Sequence, residues 1–269
     1  MSWWHRNIWQ FINRYWAMNS NKPTLSVITV VYNNVRDIER TVLSVINQTY
    51  SSIEYIIIDG LSNDGTLEVI NKYKHRISQF ISEKDAGIYD AMNKGLAMAT
   101  GDYVIFMNSG DEFYELKTVE HVFEKSPDAD IYYGETEMIN EEGQSLGQRR
   151  HQAPEQFTWR DFKYGMSISH QAIYIRRSLT EPYDSRYQLS ADIDWIIRAA
   201  KKATTVINVN RYVAKYLVGG MSKARHRQSL LERFEIMKRY YGLVPTIFNH
   251  FIIAFNLGWY WLKNKRTND

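Results

Sequence analysis

The chain has 269 residues and a mass of 31.8 kDa, enough for one large α/β domain with short appendages. It contains no cysteine, which excludes disulfide frameworks, cysteine-zinc sites and thiol catalysis and favours a cytosolic compartment. The net charge of +3 is too small to indicate a nucleic-acid-binding protein, so we expect no nucleic-acid partner.

The charge is distributed unevenly along the chain. Residues 1–22 carry +3 and residues 227–269 carry +4, so the middle of the chain carries −4. Six of the eight tryptophans also lie in these two ends. The sequence therefore predicts three parts: an amphipathic N-terminal helix over 1–22, a folded domain over 23–226, and a basic, aromatic helical segment over 227–269.

Short apolar runs alternate with helical periodicities through the first half of the domain. Strands are predicted at Leu25–Val31, Tyr55–Ile58, Ile77–Ser82 and Tyr103–Met107. Helices are predicted after the first strand (from Ile38), after the second (from Leu67) and at Ile88–Ala99. This alternation predicts an α/β, Rossmann-like fold with a mostly parallel sheet and helices on both faces.

The pattern loosens after Ile131. Strand-like pieces and helices alternate irregularly with a hairpin turn at 141–143, and we expect them to extend the same sheet. The strand-like pieces are Ile131–Tyr133, Ala172–Ile175, Thr205–Val209 and Tyr212–Leu217, and the helices lie near Phe157–Phe162 and Asp192–Ala203.

Polar residues follow the predicted strands at their carboxyl ends, where parallel sheets bind ligands. Asp59 and Asp111 each follow an apolar run and stand beside a glycine, which permits close approach by a ligand. Asp64 and Asp85 are either ligand-binding groups or helix N-caps. Carboxylates in a chain without cysteine favour Mg²⁺ or Mn²⁺ holding a phosphate. The P-loop, dinucleotide-binding and nucleophile-elbow motifs are all absent from the sequence.

Several blocks then occur in an order that resembles family 2 glycosyltransferases with the GT-A fold. They are Thr-Val-Val-Tyr-Asn-Asn at 29–34, Gln-Thr-Tyr at 48–50, Ile-Asp-Gly-Leu-Ser-Asn-Asp-Gly-Thr at 58–66, Asp-Ala-Gly-Ile-Tyr-Asp-Ala-Met-Asn-Lys-Gly at 85–95, Phe-Met-Asn-Ser-Gly-Asp at 106–111, His-Gln-Ala at 170–172 and Ser-Ala-Asp-Ile-Asp-Trp at 190–195. The resemblance covers about residues 24–222. It implies inverting transfer of a sugar from a nucleotide-sugar donor.

The resemblance also implies roles on the donor side. Tyr32 stacks on the nucleobase, with Thr29 and Asn33 close to it. Asp59 accepts a hydrogen bond from the base imide, and Asp85 faces the ribose or the uracil. Further donor-side residues are Lys94, which either neutralises the diphosphate or is simply solvated, together with Asn108 and Ser109.

The metal site implied by the resemblance departs from the family's frequent Asp-x-Asp. This chain reads Asn108-Ser109-Gly110-Asp111, which leaves Asp111 as the one strong ligand for Mg²⁺ or Mn²⁺. Asn108 either ligates through its carbonyl oxygen or bonds the ribose. One carboxylate suffices when diphosphate oxygens and waters complete the coordination.

An inverting displacement needs a base that takes the proton of the acceptor hydroxyl. Asp192 occupies that position in the resemblance; helix capping and the use of Asp194 instead are the alternatives. His170 either orients the acceptor or is structural. A glycine-containing segment at 219–222, followed by His226 among basic residues, is either a lid that clamps the diphosphate or a solvated loop.

The two ends predict contact with a membrane surface. Residues 3–16 combine tryptophan and tyrosine with arginine, as helices in the membrane interface do, although packing on the domain or a partner is the alternative. Residues 243–262 are mostly apolar and are either interfacial, packed or spanning. We expect a cytoplasmic enzyme, peripheral on the inner face of a bacterial cell membrane, that uses a lipid-linked oligosaccharide acceptor for surface polysaccharide. The rival interpretation is a non-catalytic nucleotide-sugar-binding scaffold.

Overall fold

The computed structural model describes residues 22–125, 128–149, 151–219 and 225–253. The predicted N-terminal helix over 1–22 thus lies almost entirely outside the described residues, as does the end of the C-terminal segment beyond 253. The strands are β1 (Leu25–Val31), β2 (Ile53–Asp59), β3 (Gln79–Ser82), β4 (Tyr103–Phe106), β5 (Glu112–Phe113), β6 (Ile131–Ile139), β7 (Ser145–Gln148), β8 (Ile173–Arg176) and β9 (Val206–Leu217). The helices are α1 (Ile38–Ile46), α2 (Thr66–Lys72), α3 (Ile88–Met98), α4 (Thr118–Glu124), α5 (Ala191–Lys202) and α6 (His226–Tyr241).

These strands form one nine-stranded sheet in the order β3-β2-β1-β4-β8-β6-β9-β5, with β7 paired to β6. The first four strands are all parallel, with Leu25 opposite Ile53 and Tyr103. The second half adds antiparallel pairs of β8 with β4 and of β8 with β6, while β6 and β9 run parallel. The predicted α/β fold is confirmed, and antiparallel pairing is concentrated in its second half.

Helices cover the sheet on both faces because the central strands are apolar on both. Alternate side chains of β1 enter different clusters: Ile28 and Val30 face α3 and α5, whereas Val27 and Val31 face α1 and α4. All seven residues of β1 are buried. The sheet thus aligns the carboxyl ends of β1, β2 and β4 at one edge.

Two predicted elements have different bounds in the structure. The region near Phe157–Phe162 contains only a 3₁₀ turn at Asp161–Tyr164, which ends at Gly165 with φ 114°. Phe157 and Phe162 pack edge to face with ring centroids 5.6 Å apart, so their apolar spacing reflects core packing and not a helix. The strand predicted from Ile77 begins at Gln79, because residues 74–76 form a 3₁₀ turn.

The two strand pieces predicted at 205–209 and 212–217 are one long strand with an irregularity between them. Asn210 has φ 55°, and the register of β9 with β6 shifts near Gly134. A Cβ atom at Gly134 would lie 2.6 Å from the Arg211 carbonyl oxygen, so the absence of a side chain there permits this pairing. Beyond this irregularity β9 extends to Leu217, which lies at the ligand-binding edge of the sheet.

Helix α6, nearly all of which lies in the predicted C-terminal segment 227–269, packs on the domain. Ile236 is fully buried in the cluster that contains α5, and the Tyr240 hydroxyl donates to Asp194 at 2.7 Å. Residues 243–253 are helical as far as they are described. Across the described parts of the chain, no helix has both the length and the apolar character needed to cross a membrane.

Candidate functional site

A cleft of about 570 Å³ opens at the carboxyl ends of the parallel strands. Six of the predicted site residues line it: Tyr32, Asp85, Asn108, Ser109, Asp111 and Asp192. Further lining residues that the prediction did not place in the site come from α3, the loop before β8, and β9, among them Tyr89 and Tyr216. The cleft therefore brings together predicted site residues that are up to 160 positions apart in the sequence (Tyr32 after β1 and Asp192 in α5).

One wall of the cleft is an open aromatic platform beside a carboxylate. Tyr32 follows β1 directly and exposes 65% of its surface, although it is a large ring at a strand end. Gly60 lies below it: a Cβ atom there would lie 3.2 Å from the Tyr32 ring and 2.5 Å from Asp85 Oδ2. The missing side chain brings ring and carboxylate together, an arrangement that suits a planar ligand with polar edges.

Asp59 precedes Gly60 and is not among the residues that line the cleft, but one of its carboxylate oxygens has no hydrogen-bond partner. The residue is fully buried at the end of β2, and its Oδ2 accepts hydrogen bonds from the Ser62 amide at 3.0 Å and the Ser82 hydroxyl at 2.7 Å. Oδ1 is buried without a hydrogen-bond partner. Because an unsatisfied buried carboxylate oxygen is costly, this atom is a candidate acceptor for an N–H group of a ligand.

Like Asp59, three other predicted donor-side residues do not line the cleft, and their polar groups form hydrogen bonds within the protein. The Thr29 hydroxyl, which is fully buried, donates to the Met107 carbonyl at 2.7 Å. Asn33 accepts from the Asn63 amide at 2.9 Å and holds the following loop. Lys94 Nζ donates to the Lys84 carbonyl and to Glu83, each at 2.9 Å, and therefore supports the loop that carries Asp85.

The Asp64 carboxylate likewise forms hydrogen bonds within the loops of the protein. Its Oδ1 accepts from the Thr66 amide at 3.0 Å just before α2, and Oδ2 accepts from the Val35 amide at 3.0 Å. These hydrogen bonds lower the pKa of Asp64, with the Thr66 hydroxyl as the largest cause. The N-cap residue of α2 is Gly65, so Asp64 is not that cap; its hydrogen bonds to the Thr66 and Val35 amides hold the loop that precedes the helix.

Asp111 lies at the floor of the cleft, 5% exposed. Its Oδ1 accepts from the Leu217 amide at 3.1 Å and its Oδ2 from Gln171 Nε2 at 3.3 Å. Burial raises the pKa of Asp111 to about 7, and His170, the Leu217 amide and Gln171 only partly oppose that rise. A carboxylate in this environment gains from a nearby cation, which would restore its charged form.

The residues present fit a divalent cation that is shared with a ligand. Asn108 Oδ1 is buried without a hydrogen-bond partner close to Asp111 in sequence, and both offer the oxygen atoms that Mg²⁺ and Mn²⁺ prefer. No group of three or more His, Cys, Asp or Glu side chains that could hold a metal occurs among the described residues. A cation here would therefore complete its coordination with phosphate oxygens and water.

Asp192 lies on the opposite wall at the first turn of α5. Its Oδ1 accepts from the Tyr89 hydroxyl at 3.2 Å, and Oδ2 lies 3.6 Å from His170 Nδ1. Burial acts to raise the pKa of Asp192, but the interaction with His170 and the charge of Arg233 outweigh it and hold the pKa below its ordinary value. The side chain is 17% exposed and reaches the cleft. A charged carboxylate that faces a cleft can accept a proton.

His170 links the two walls of the site. Asn108 Nδ2 is within 3.0 Å of His170 Nε2. His170 Nδ1 lies on the other side of the ring, 3.6 Å from Asp192 Oδ2, so the ring contacts both walls. Of the two roles considered for His170, this geometry fits orientation of the site.

Asp194, the alternative to Asp192, has no access to the cleft. It is fully buried, forms an ion pair with Arg198 at 2.8 Å and accepts from the Tyr240 hydroxyl at 2.7 Å. Two residues along α5 turn the side chain by about 200°, which separates the two carboxylates onto different sides of the helix. Asp194 therefore joins α5 to α6.

Three residues that contribute to the site were not identified from the sequence: Tyr89, Gln171 and Tyr216. Tyr89 and Gln171 lie inside blocks noted in the sequence, so position alone could have flagged them. Tyr216, which lines the cleft on β9, carries no sequence signal. In the expected lid, Gly219 lines the cleft, residues 220–224 lie outside the described chain, and His226 begins α6.

Comparison with known proteins assigns a family to this arrangement. The family model described as glycosyl transferase family 2 matches residues 26–181, more than half of the chain. An uncharacterized glycosyltransferase of Mycobacterium tuberculosis is 34% identical over 191 residues, which are 67% of this chain and 70% of the relative. The Bacillus subtilis protein TuaG, whose name assigns it as a glycosyltransferase of teichuronic acid biosynthesis, is 31% identical over 206 residues (74% of this chain, 81% of TuaG). A mycobacterial glycosyltransferase of PGL/p-HBAD biosynthesis is 29% identical over 229 residues, 81% of this chain and 86% of the relative.

Solved structures show the same fold at low identity. Staphylococcus aureus TarS in complex with UDP-GlcNAc superposes with a TM-score of 0.62 at 17% identity, covering 85% of this chain and 72% of TarS residues 1–349. The mannosyltransferase PcManGT of Pyrobaculum calidifontis, in complex with GDP-Man and Mn²⁺, has a TM-score of 0.59 at 16% identity, covering 89% of this chain and 73% of that chain.

Proposed function

Because the chain belongs to glycosyl transferase family 2, we propose that it transfers a sugar, with inversion, from a UDP-sugar to a lipid-linked glycan in bacterial surface-polysaccharide biosynthesis. The observation that carries the proposal is one cleft lined by the exposed ring of Tyr32, by Asp85, by the buried carboxylate of Asp111 and by the carboxylate of Asp192. Each of these four groups meets a separate requirement of that reaction.

The donor side fits a uridine nucleotide. The exposed ring of Tyr32 stacks on a base, and the unpaired Oδ1 of Asp59 accepts the N–H of a uracil imide. Asp85 accepts from the ribose hydroxyls. TarS binds UDP and UDP-GlcNAc in its solved complexes, which supports a UDP-sugar for this fold.

The metal-binding residues in this proposal are Asp111 and Asn108. A bound Mg²⁺ or Mn²⁺ supplies positive charge that stabilises the departing diphosphate. The protein contributes the dry pocket around Asp111, the Leu217 amide and Gln171, which hold its carboxylate in one orientation. The Mn²⁺ complex of PcManGT supports a divalent ion in this fold.

The acceptor side supplies the base. Asp192 takes the proton of the acceptor hydroxyl as the new glycosidic bond forms, and the bond to the diphosphate breaks on the opposite face of the sugar. Tyr89 and His170 hold the carboxylate oxygens from two directions, which aims them at the cleft. General-base catalysis of this kind contributes about 10²–10⁴-fold to a rate.

The C-terminal helical segment supports a membrane-bound acceptor. Within residues 243–253 several apolar side chains are exposed, among them Val244, Ile247, Phe248 and Phe251 at 77, 42, 65 and 71%. Thr246 and Asn249, which are polar, are buried at 1% and 7%. This inverted pattern at i, i+3, i+4 and i+7 places an apolar stripe in solvent, as in helices that lie in a membrane interface.

A panel of nucleotide sugars tests the proposal. We expect the purified chain to hydrolyse one UDP-sugar slowly in the presence of Mn²⁺, to lose that activity in EDTA, and to release the β-anomer from an α-linked donor, as seen by NMR. An α-anomer product would contradict inversion. Binding of UDP without turnover of any sugar nucleotide, alone or with membrane lipid extracts, would favour the non-catalytic scaffold instead.

A further inference from the structure

Glu232 on α6 binds the chain segment that leads into α5. Its carboxylate accepts three consecutive backbone amides: Gln188 N at 3.1 Å, Leu189 N at 2.8 Å and Ser190 N at 3.0 Å. These amides lie more than 40 residues away in the sequence. One side chain of α6 thus satisfies a run of backbone donors at the start of another helix.

The segment held by Glu232 borders the cleft. Gln188 and Leu189 line it, Ser190 is the N-cap residue of α5, and Asp192 follows two residues later. The Ser190 side chain makes no capping hydrogen bond within α5 and instead pairs with the Ser229 hydroxyl of α6 at 3.1 Å. The entry to α5 therefore depends on α6 and not on a local cap.

The charge of Glu232 is directed at these amides. Among the ion pairs found in the described parts of the chain, none involves Glu232. A carboxylate beside the N-terminus of a helix also interacts favourably with the helix dipole. Glu232 does not line the cleft, so it has no direct contact with a ligand there.

Helix α6 is also held on the domain by contacts that do not involve Glu232. Ile236 is fully buried, Met237 is 3% exposed and Tyr240 bonds Asp194. These contacts lie toward the C-terminal half of α6 and keep the helix in place without Glu232. Removal of the Glu232 carboxylate should therefore loosen residues 188–192 more than the rest of the fold.

We infer that Glu232 is a positioning residue: by holding the amides of residues 188–190 it sets the place of Asp192 in the cleft. This inference rests on the proposed role of Asp192 as the base. Helix α6 ends at Tyr241, and Gly242 (φ 86°) separates it from the helical segment 243–253. A displacement of about 1 Å at a reacting group can cost about 100-fold in rate.

The test uses Glu232→Gln and Glu232→Ala in the full chain, with Glu235→Gln as the matched control. Glu235 lies on the same helix, is 55% exposed and, within the described part of the chain, forms an ion pair with Lys238 alone. Three quantities are measured: UDP affinity with Mn²⁺, turnover of the UDP-sugar that the wild-type chain uses fastest, and hydrogen exchange of the amides of 188–192.

We expect turnover to fall about 10- to 100-fold in Glu232→Ala and less in Glu232→Gln, which keeps one acceptor oxygen. The UDP affinity of both Glu232 variants should stay within about twofold of wild type, as should the turnover and UDP affinity of Glu235→Gln. In the Glu232 variants, hydrogen exchange at 188–192 should accelerate while the amides of α3 stay protected. The inference is overturned if Glu232→Ala keeps wild-type turnover, if its exchange at 188–192 is unchanged, or if UDP affinity and the whole fold are lost in parallel with turnover.

The experiment separates this inference from the proposed function. If the wild-type chain turns over no nucleotide sugar, the proposed function fails, and the role assigned here fails with it because no base remains to be positioned. If the wild type is active and Asp192→Asn is inactive, unchanged turnover in Glu232→Ala overturns the positioning role alone.

Discussion

Single carboxylates in this chain take different tasks because their surroundings differ. Asp59 keeps an unpaired buried oxygen, Asp111 is buried beside amide donors, and Asp194 is neutralised by Arg198. Asp192 alone of these four lies between a tyrosine hydroxyl and a histidine ring at the cleft wall. Burial and partners, more than residue type, decide which carboxylate is available for chemistry.

The first prediction separates Asp192 from Asp194. Asp192→Asn keeps the size of the side chain but cannot take a proton, so turnover should fall about 10²–10⁴-fold while UDP affinity stays unchanged. Asp194→Asn breaks a buried ion pair with Arg198 and should cost about 3 kcal/mol in unfolding free energy by urea titration. An active Asp192→Asn variant, with an inactive but stable Asp194→Asn, would reverse the two assignments.

The second prediction concerns the cation. Asp111→Asn keeps an oxygen that can accept from the Leu217 amide but removes the negative charge. We expect UDP binding to lose its dependence on Mn²⁺ in calorimetric titrations, and turnover to become undetectable. Gln171→Ala, which removes only a hydrogen bond to Asp111, should weaken Mn²⁺-dependent binding less. Full wild-type activity in excess chelator would exclude a metal role.

At the scale of secondary-structure elements, Asp130 links the starts of β6 and β9 in the second half of the sheet. Asp130, just before β6, accepts from the Thr204 and Thr205 amides at 2.7 and 3.1 Å, and from Arg176 Nε at 3.2 Å. Burial opposes ionisation, yet these hydrogen bonds together lower the pKa of Asp130 to about 2. One partly buried carboxylate thus joins three strands that are distant in sequence.

The third prediction follows from that pKa. Because the folded pKa lies below the ordinary value of 3.8, the stabilisation is fully present above about pH 4 and is lost as the pH falls through about 2. Asp130→Asn should therefore cost about 2 kcal/mol in unfolding free energy at pH 7, and less as the pH falls below 4.

Asp128→Asn is the control for that experiment. Its side chain is 85% exposed and pairs with the same Arg176 at 2.6 Å, so its loss should cost under about 1 kcal/mol by urea titration. Equal effects of the two variants at pH 7 would contradict the assignment of Asp130 as the fastening residue.

At the scale of the whole molecule, the helical segment 243–253 presents a stripe of exposed apolar side chains, which are Val244, Ile247, Phe248 and Phe251. The fourth prediction is that this stripe binds membrane. Phe248→Ser with Phe251→Ser removes two exposed rings and should reduce co-flotation with anionic liposomes at least tenfold, without changing UDP affinity. Salt should weaken wild-type binding only partly, since apolar contacts are not screened.

Leu146→Ser is the control, because Leu146 is an apolar residue that is 52% exposed on β7 and does not belong to the stripe. It should float like the wild type. If the double variant floats normally, the stripe is not the membrane contact. If light scattering shows instead that the wild type is a dimer and the double variant a monomer, the stripe binds a second copy of the chain.

The sequence by itself determined the first half of the fold and the location of the cleft. Strand and helix periods are local properties, and parallel strands such as β1 and β2 necessarily bring their carboxyl ends together. The buried run of Leu25–Val31 therefore predicted both a central strand and a ligand-binding edge. Blocks at 29–34, 58–66 and 106–111 pointed to the family for the same reason: they are contiguous.

Only the tertiary structure decided how the second half completes the site. Asp111 meets the Leu217 amide across 106 residues, and His170 lies between Asn108 and Asp192. Thr29 and Lys94 carry suitable groups, but their neighbours in the fold occupy them. The sequence lists which groups exist, whereas their partners, burial and hence their pKa values arise from packing between distant segments.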